Sequence, residues 1–192
     1  MALTKVNTGG LAADSVDNTI LKLDDDYALT GAVTGATPIT HLDQWRLTTT
    51  FTGGAEPLGS NLERVDTTGQ STIGSAMTFS SGIFTFPVTG KWLVSANWVH
   101  YLSGSSRYQQ HYISVTQNNS DYVIFANMNT FIAQAESGAT YTNGSHSTTV
   151  DVTNTSNIKC RFELHLSNSS VGTAGSTAHN TTFFTFIRLG DT

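Results

Sequence analysis

The sequence predicts an all-β protein: an antiparallel β-sandwich over residues 39–192, preceded by an extended N-terminal arm over residues 1–38. Three observations carry this reading. Ile158, Cys160, Phe162, Leu164 and Leu166 alternate with Lys159, Arg161, Glu163 and His165, the period of two that puts one side of a strand in a core and the other towards water. Residues 80–102, SSGIFTFPVTGKWLVSANWVHYL, read as a strand, a Pro/Gly turn and a second strand, dense in the aromatic and β-branched residues that fit a pleated surface. Further runs of this kind recur after residue 39, separated by Gly/Ser/Asn turns, the spacing of a sandwich.

The arm holds few large apolar residues, spread among Gly, Ala, Asp and Thr. That is too little apolar area to offset the entropy of ordering an independent domain. Val16, Ile20, Leu23 and Tyr27 have a partial helical spacing, with Asp14 or Ser15 placed to cap it. The acidic triplet Asp24–Asp26 opposes a helix dipole at that end, so a short helix and an extended strand both fit. Residues 29–38, LTGAVTGATP, read as a spacer. Leu11, Val16, Ile20, Leu23 and Tyr27 are spaced so that each can fill a small pocket on a partner.

The head begins near Ile39. Residues 44–51 form a first strand anchored by Trp45 and Leu47, and Gly53, Gly54 and Pro57 punctuate the following loop. Residues 62–82 alternate weakly and suggest short edge strands. In the 80–102 segment, Pro87 lacks an amide donor and belongs at a strand end, and Gly90 supplies turn freedom. After the turn Trp92, Val94, Ala96 and Trp98 share one face, while Leu93, Val99 and Tyr101 share the other with Ser95 and Asn97. A strand apolar on both sides is covered on both sides, by a second sheet and by another subunit. Residues 108–128 form a hairpin turning at Asn118–Asp121. Residues 130–168 hold two more strands, 168–182 a loop, and FFTFIRL closes the sheet.

The segment GIFTFPVTGKWLVSA resembles the central strand pair of C1q/TNF-like jelly rolls through Gly82, Phe84, Thr85, Pro87, Gly90 and Trp92. TTFFTFIRL, residues 181–189, is similar to that family's last strand. The resemblance implies an antiparallel jelly-roll β-sandwich (C1q/TNF-like) that assembles as a homotrimer. The ADSVDN and TGAVTG stretches of the arm resemble the N-terminal parts of marine tailed-bacteriophage structural and fibre proteins.

Composition narrows the function. Only 12% of residues are charged and the net charge is −5, against a usual charged share of about a quarter. Without clustered Lys/Arg the chain is not suited to nucleic acid or to an anionic membrane surface, and no run approaches the ~18 apolar residues of a membrane span. The N-terminus lacks the basic-then-apolar pattern of a signal sequence, as expected of a virion component made in a host bacterial cytoplasm. No nucleophile elbow, metalloprotease helix or phosphate-binding loop is present, so no enzyme activity, no cofactor and no metal are expected. Cys160 reads as a small core residue rather than a nucleophile. Asp24–Asp26 read as a solvated turn rather than a calcium loop. His111 and His165 fall on strand faces and, without metal-type spacing, read as ordinary strand residues rather than as ligands that a trimer axis brings together. Trp92, Trp98, Phe162, Phe183, Phe184 and Phe186 are assigned to core or trimer interface, in preference to a sugar platform.

These readings converge on a virion structural protein: a trimeric capsid decoration protein or short head fibre, held through its arm by other virion proteins such as the major capsid protein or tail components. The alternative is a tail-fibre tip whose head binds a host receptor or host-surface glycan.

Overall fold

The computed structural model describes residues 39–192. The arm, with its anchors Leu11, Val16, Ile20, Leu23 and Tyr27 and the choice between helix and strand, lies outside the described residues.

The described chain is built of β1 (Leu42–Leu47), β2 (Phe51–Thr52), β3 (Leu62–Arg64), β4 (Thr78–Ser80), β5 (Ile83–Thr85), β6 (Gly90–Leu102), β7 (Ser106–Thr116), β8 (Tyr122–Ile132), β9 (Thr140–Val152), β10 (Lys159–Leu166), β11 (Gly172–Thr173) and β12 (Phe183–Gly190). They pair into two antiparallel sheets. The seven-stranded sheet runs β2-β11-β6-β12-β1-β3, with β9 also paired to β6; the five-stranded sheet runs β4-β5-β10-β7-β8.

β6 is the central member of the larger sheet. β9 pairs with it from Gly90 to Leu102. Along the opposite side β12 covers Lys91–Asn97 and β11 covers His100–Tyr101. Gly90 opens the strand at φ 141°, a backbone that side-chain-bearing residues rarely adopt. A Cβ there would also run into Arg188 and the Gly190 carbonyl. From Trp92 to Leu102 every second residue of β6 is buried and the others are half-buried, the alternation that a pleated strand with one face on a core must show.

The core lies between the sheets. Phe84 packs against Trp45, Phe162 and Phe186 with ring centroids 5.4, 5.6 and 5.0 Å away. Phe162 of one sheet lies on Phe184 of the other at 4.0 Å. This aromatic cluster extends along β6 through Trp92, Val94, Ala96 and Trp98. A second, smaller apolar cluster of Leu102, Ile132 and Val171 fills the far end. Between them along the strands sit buried polar side chains: His100 of β6, Gln109 and His111 of β7, and Thr173 of β11.

Several strand expectations are corrected. Residues 44–51 are not one strand: β1 ends at Leu47, and Phe51–Thr52 pair instead with β11. The two strands flanking Pro87 are not paired with each other. β5 joins β4 and β10, whereas β6 joins the opposite sheet, so residues 86–89 carry the chain across the sandwich. Pro87 ends a strand as expected, but the turn does not fold back within one sheet. FFTFIRL is an interior strand, between β6 and β1. The 168–182 segment contains β11, too short to show a period of its own. The hairpin of β7 and β8 and the strands β9 and β10 lie where the sequence places them.

Candidate functional surface

Trp92, Trp98, Phe162, Phe184 and Phe186 are all buried between the sheets, so they contribute to the core and not to a surface. Phe183 is the exception. It is half-buried on the outward face of the seven-stranded sheet, opposite Asn97 of β6.

That outward face is where the alternation of β6 has its consequence. Leu93, Val99 and Tyr101 of β6, with Phe183 and Ile187 of β12, are half-buried there. Ile187 lies opposite Leu93, and Tyr101 meets Tyr141 of β9 at 5.4 Å between ring centres. Ser95, Asn97, Thr185 and Ser147 fill the positions between. The face is mixed aliphatic, aromatic and hydroxyl, with no charged side chain among these positions.

A second apolar region lies where the edge strands β8 and β9 approach each other. Val123, Ile124, Phe125 and Phe131 of β8 are exposed, as is Leu189 at the end of β12. A recess of about 430 Å³, lined by Val115, Phe125, Val150, Ile158 and Leu189 and rimmed by Lys91 and Asp151, opens here. The Lys91–Asp151 pair at the rim, 2.9 Å apart, is exposed on both sides. Single exposed apolar residues are ordinary; a contiguous set marks an interaction surface.

The buried charged groups of the head, Asp43, Arg46 and Glu163, are structural. Arg46, fully buried, donates to Glu63, Asp66 and Thr67 at 2.7, 2.6 and 2.7 Å. Asp43 accepts from Trp45 Nε1 at 3.0 Å, from the Met77 amide at 2.9 Å and from Arg64 at 3.1 Å. Both networks tie β1 and β3 to the loop before β4, each buried charge being paired as burial requires. On the outward face of the five-stranded sheet Arg161 pairs with Glu163 at 2.5 Å and lies 4.1 Å over the Tyr122 ring.

Cys160 is fully buried and burial pushes its thiol well above the usual range, which leaves it a core side chain and not a reactive thiolate. His165 bonds Glu56 at 2.6 Å on the outward face. His111, in contrast, points inward and is fully buried in its own protomer. No group of three His, Cys, Asp or Glu among the described residues is placed to hold a metal ion.

Sequence reasoning missed three features: the apolar edge of β8, whose Val123-Ile124-Phe125 run has no alternation to reveal it; the recess; and the inward convergence of His100, His111 and His146, which are scattered over three strands.

No protein-family model and no curated protein matches the chain. Solved structures do. The Eiger TNF of S. frugiperda superposes with a TM-score of 0.60 at 11% identity, covering 81% of this chain and 96% of that one. Murine APRIL at pH 5.0 superposes at 0.57 with 9% identity, covering 78% and 98%, and murine APRIL at pH 8.0 at 0.53 with 10% identity and the same coverage. At such identities the likeness speaks for the fold alone, and the fold it shows is the one that residues 82–92 and 181–189 resemble: an all-β, antiparallel TNF/C1q-like jelly roll.

Proposed function

We propose that this chain is a virion structural protein of a tailed bacteriophage, a homotrimeric capsid decoration protein or short head fibre that its N-terminal arm attaches to the particle. The observation that carries the assembly is the coexistence of an apolar outward face on β6 and β12 with an apolar edge on β8 and β9, in a protomer whose own core is already filled. A face and an edge of matching character form a heterologous contact, which closes into a ring when the rotation permits. Leu93, Val99, Tyr101, Tyr141, Phe183 and Ile187 of one protomer then receive Val123, Phe125 and Phe131 of the next. The C1q/TNF-like resemblance supplies the trimer. The low charge, the hydroxyl-rich surface and the phage-like arm support the particle, with the major capsid protein or a tail component as partner. Nothing in the head is arranged for catalysis, which supports a non-enzymatic role.

Two measurements test this reading. Light scattering at micromolar concentration returns a trimer for the full chain, with contacts burying above ~1,000 Å², and Phe183→Asp returns a folded monomer; a wild-type monomer overturns the assembly. Co-sedimentation with assembled particles retains the full chain and loses the chain lacking residues 2–37. Three arms on one trimer add through effective concentration, so modest single-arm binding suffices. Full occupancy by the deleted chain removes the arm as anchor.

A second reading, a fibre tip that binds a host-surface glycan, is favoured by one feature. Tyr108, Gln110, His165, Glu56 and Ser169 line an open polar cleft of about 460 Å³ on the five-stranded sheet, and an exposed tyrosine beside planar polar side chains suits a sugar ring. Glycan-array binding that Tyr108→Ala abolishes would favour the tip over the decoration protein.

A further inference from the structure

The polar layer that divides the core is built around a pair of imidazoles. His100 Nε2 and His111 Nε2 are 2.6 Å apart. Their rings are within 17° of coplanar with centroids 4.9 Å apart, so they meet nitrogen to nitrogen in one plane. The partners at the outer ends assign the hydrogens. His111 Nδ1 is 3.2 Å from the Met128 carbonyl, which only accepts, so Nδ1 carries the hydrogen and His111 Nε2 presents a lone pair. His100 Nε2–H therefore donates to it, and His100 Nδ1 accepts from the Thr173 hydroxyl at 3.1 Å. A single run of hydrogen bonds, Thr173 to His100 to His111 to Met128, ties β11, β6, β7 and β8 across the sandwich.

His146 of β9 completes the group. It lies opposite Ala96 of β6, 6.3 Å from His111 between ring centres, and both of its buried ring nitrogens lack a hydrogen-bond partner among the described residues, as do Trp98 Nε1 and Gln109 Nε2. Trp98 covers the pair at 5.1 Å from His111 and 6.0 Å from His100. Gly144 leaves room for the Met128 side chain beside the layer, since a Cβ there would lie 2.6 Å from its sulfur.

Among the described residues no counter-charge faces this layer. β8 and β11 carry no charged residue. On β6 and β9 the charged groups are Lys91 and Asp151, paired with each other at the rim of the recess. On β7 Arg107 is exposed. On β10 Glu163 pairs with Arg161 on the outward face, and the inward Cys160 is neutral. On β12 Arg188 bonds Asp191 and the Thr89 carbonyl at the sheet end.

We propose that His100, His111 and His146 form an acid-sensitive lock, whose protonation parts the β7–β8 hairpin from β6 and β9 and opens the head. A first proton enters at His100 Nδ1, displacing the Thr173 hydroxyl as donor, and places a cation in the core against the Gly172 carbonyl, with no carboxylate of the described residues beside it. Within the His100–His111 pair a second proton has only the His111 Nε2 lone pair to occupy, and taking it sets two N–H groups against each other across the nitrogen–nitrogen contact, so the bond breaks; His146 takes a proton separately, on its own unpartnered nitrogen. Burial, the largest cause in each case, lowers His100 to about 4, His111 to about 3 and His146 to about 4, below the ordinary 6.5. Folded-state values below the unfolded one mean that the unfolded chain takes protons first. Stability from this layer is therefore full above about pH 6.5 and lost as the pH falls towards 4. Each imidazole kept neutral lowers the folding constant roughly tenfold per pH unit over that window, so the His100–His111 pair lowers it roughly a hundredfold. A metal bridge is excluded by the geometry: two ligating nitrogens each about 2 Å from a shared ion do not meet head-on at this separation.

The test is urea unfolding of the full chain between pH 8 and 4.5, beside His111→Gln, whose amide can still donate to Met128 and accept from His100 without titrating. The expected result is a steep acid loss in the wild type and a loss about tenfold smaller per pH unit in the variant, the surface carboxylates being common to both. Equal losses overturn the proposal. Imidazole NMR of the wild type decides independently should the variant fail to fold. His100 and His111 resonances that stay neutral until the head unfolds support the lock; reversible titration near 6.5 in the folded head overturns it. Zinc at pH 7 that raises the unfolding midpoint of the wild type and not of the variant also overturns it, making the layer a metal site.

Discussion

The two ends of β6 face the same opposing sheet and follow the same alternation, yet they bury different chemistry. From Trp92 to Ala96 the strand meets Phe162, Phe186 and Val150 in a wholly apolar cluster. From Trp98 to Leu102 it meets His111, Gln109 and Thr173, and only beyond them the small cluster of Leu102, Ile132 and Val171. The first end is held mainly by close packing of rings, with the His41 ring at its edge 5.7 Å from Trp92. The second is held by hydrogen bonds whose donors and acceptors are fixed by tautomer, with several polar atoms left unpaired. A buried polar layer adds less stability than an apolar one of equal volume unless every member is satisfied. The contrast teaches that burial alone does not describe how a core responds to its surroundings.

Four substitutions sharpen or break this contrast. Phe162→Ala empties the site between Phe84 and Phe184 and is expected to cost ~3–5 kcal/mol. Because no titrating group lines that site, urea unfolding should give the same loss at pH 7.5 and at pH 5; a loss that changes strongly with pH would join the two ends into one. Arg161→Ala, one residue away on the outward face, removes the partner of the buried Glu163 and the contact with Tyr122. It is expected to cost ~1–2 kcal/mol, and a loss matching that at Phe162 would refute the assignment of faces. His146→Leu removes two unpartnered buried nitrogens. Unfolding at pH 7.5 is expected to change by ~1 kcal/mol or less, while the fall in stability between pH 6.5 and 4 becomes shallower, since the unfolded chain no longer gains a proton there ahead of the folded one. An unchanged acid slope would remove His146 from the layer. Asp151→Asn breaks only the exposed pair with Lys91 and should stay within ~0.5 kcal/mol of wild type by the same measurement; a larger effect would show that the recess it rims is occupied by another protomer.

Much of the head was legible before any coordinates. The strict period of Ile158–Leu166 picked out the core-facing Ile158, Cys160, Phe162 and Leu164 correctly, because a pleated strand with one face on the core leaves no other arrangement, although Glu163 on the other face is buried as well. Gly90 and Pro87 were read correctly as strand-boundary residues, since glycine reaches backbone conformations that other residues avoid and proline lacks the amide donor a ladder needs. The resemblance of residues 82–92 and 181–189 to C1q/TNF-like strands led to the right fold. Less of the candidate surface was legible. Phe183 was grouped with Phe184 and Phe186, although a shift of one residue sends it to the opposite face. The exposed run Val123–Phe125 has the composition of a core strand, and only its position at a sheet edge shows that its own chain leaves it uncovered.

What the sequence by itself determined is therefore local and periodic: which residues favour strands, which of their faces are apolar, where the chain must turn, and how little charge the surface carries. These follow from side-chain size, polarity and backbone freedom, properties that each residue brings with it. The tertiary structure decided which strands are neighbours. It put β5 and β6 into opposite sheets across a turn that reads as a hairpin, placed β12 inside its sheet rather than at the edge, and set Ala96 beside His146 and Leu164 beside His111. Pairing of that kind is settled by the joint burial of all the apolar faces at once. Residues 100, 111 and 146 consequently meet in one layer, although nothing in their spacing along the chain announces it.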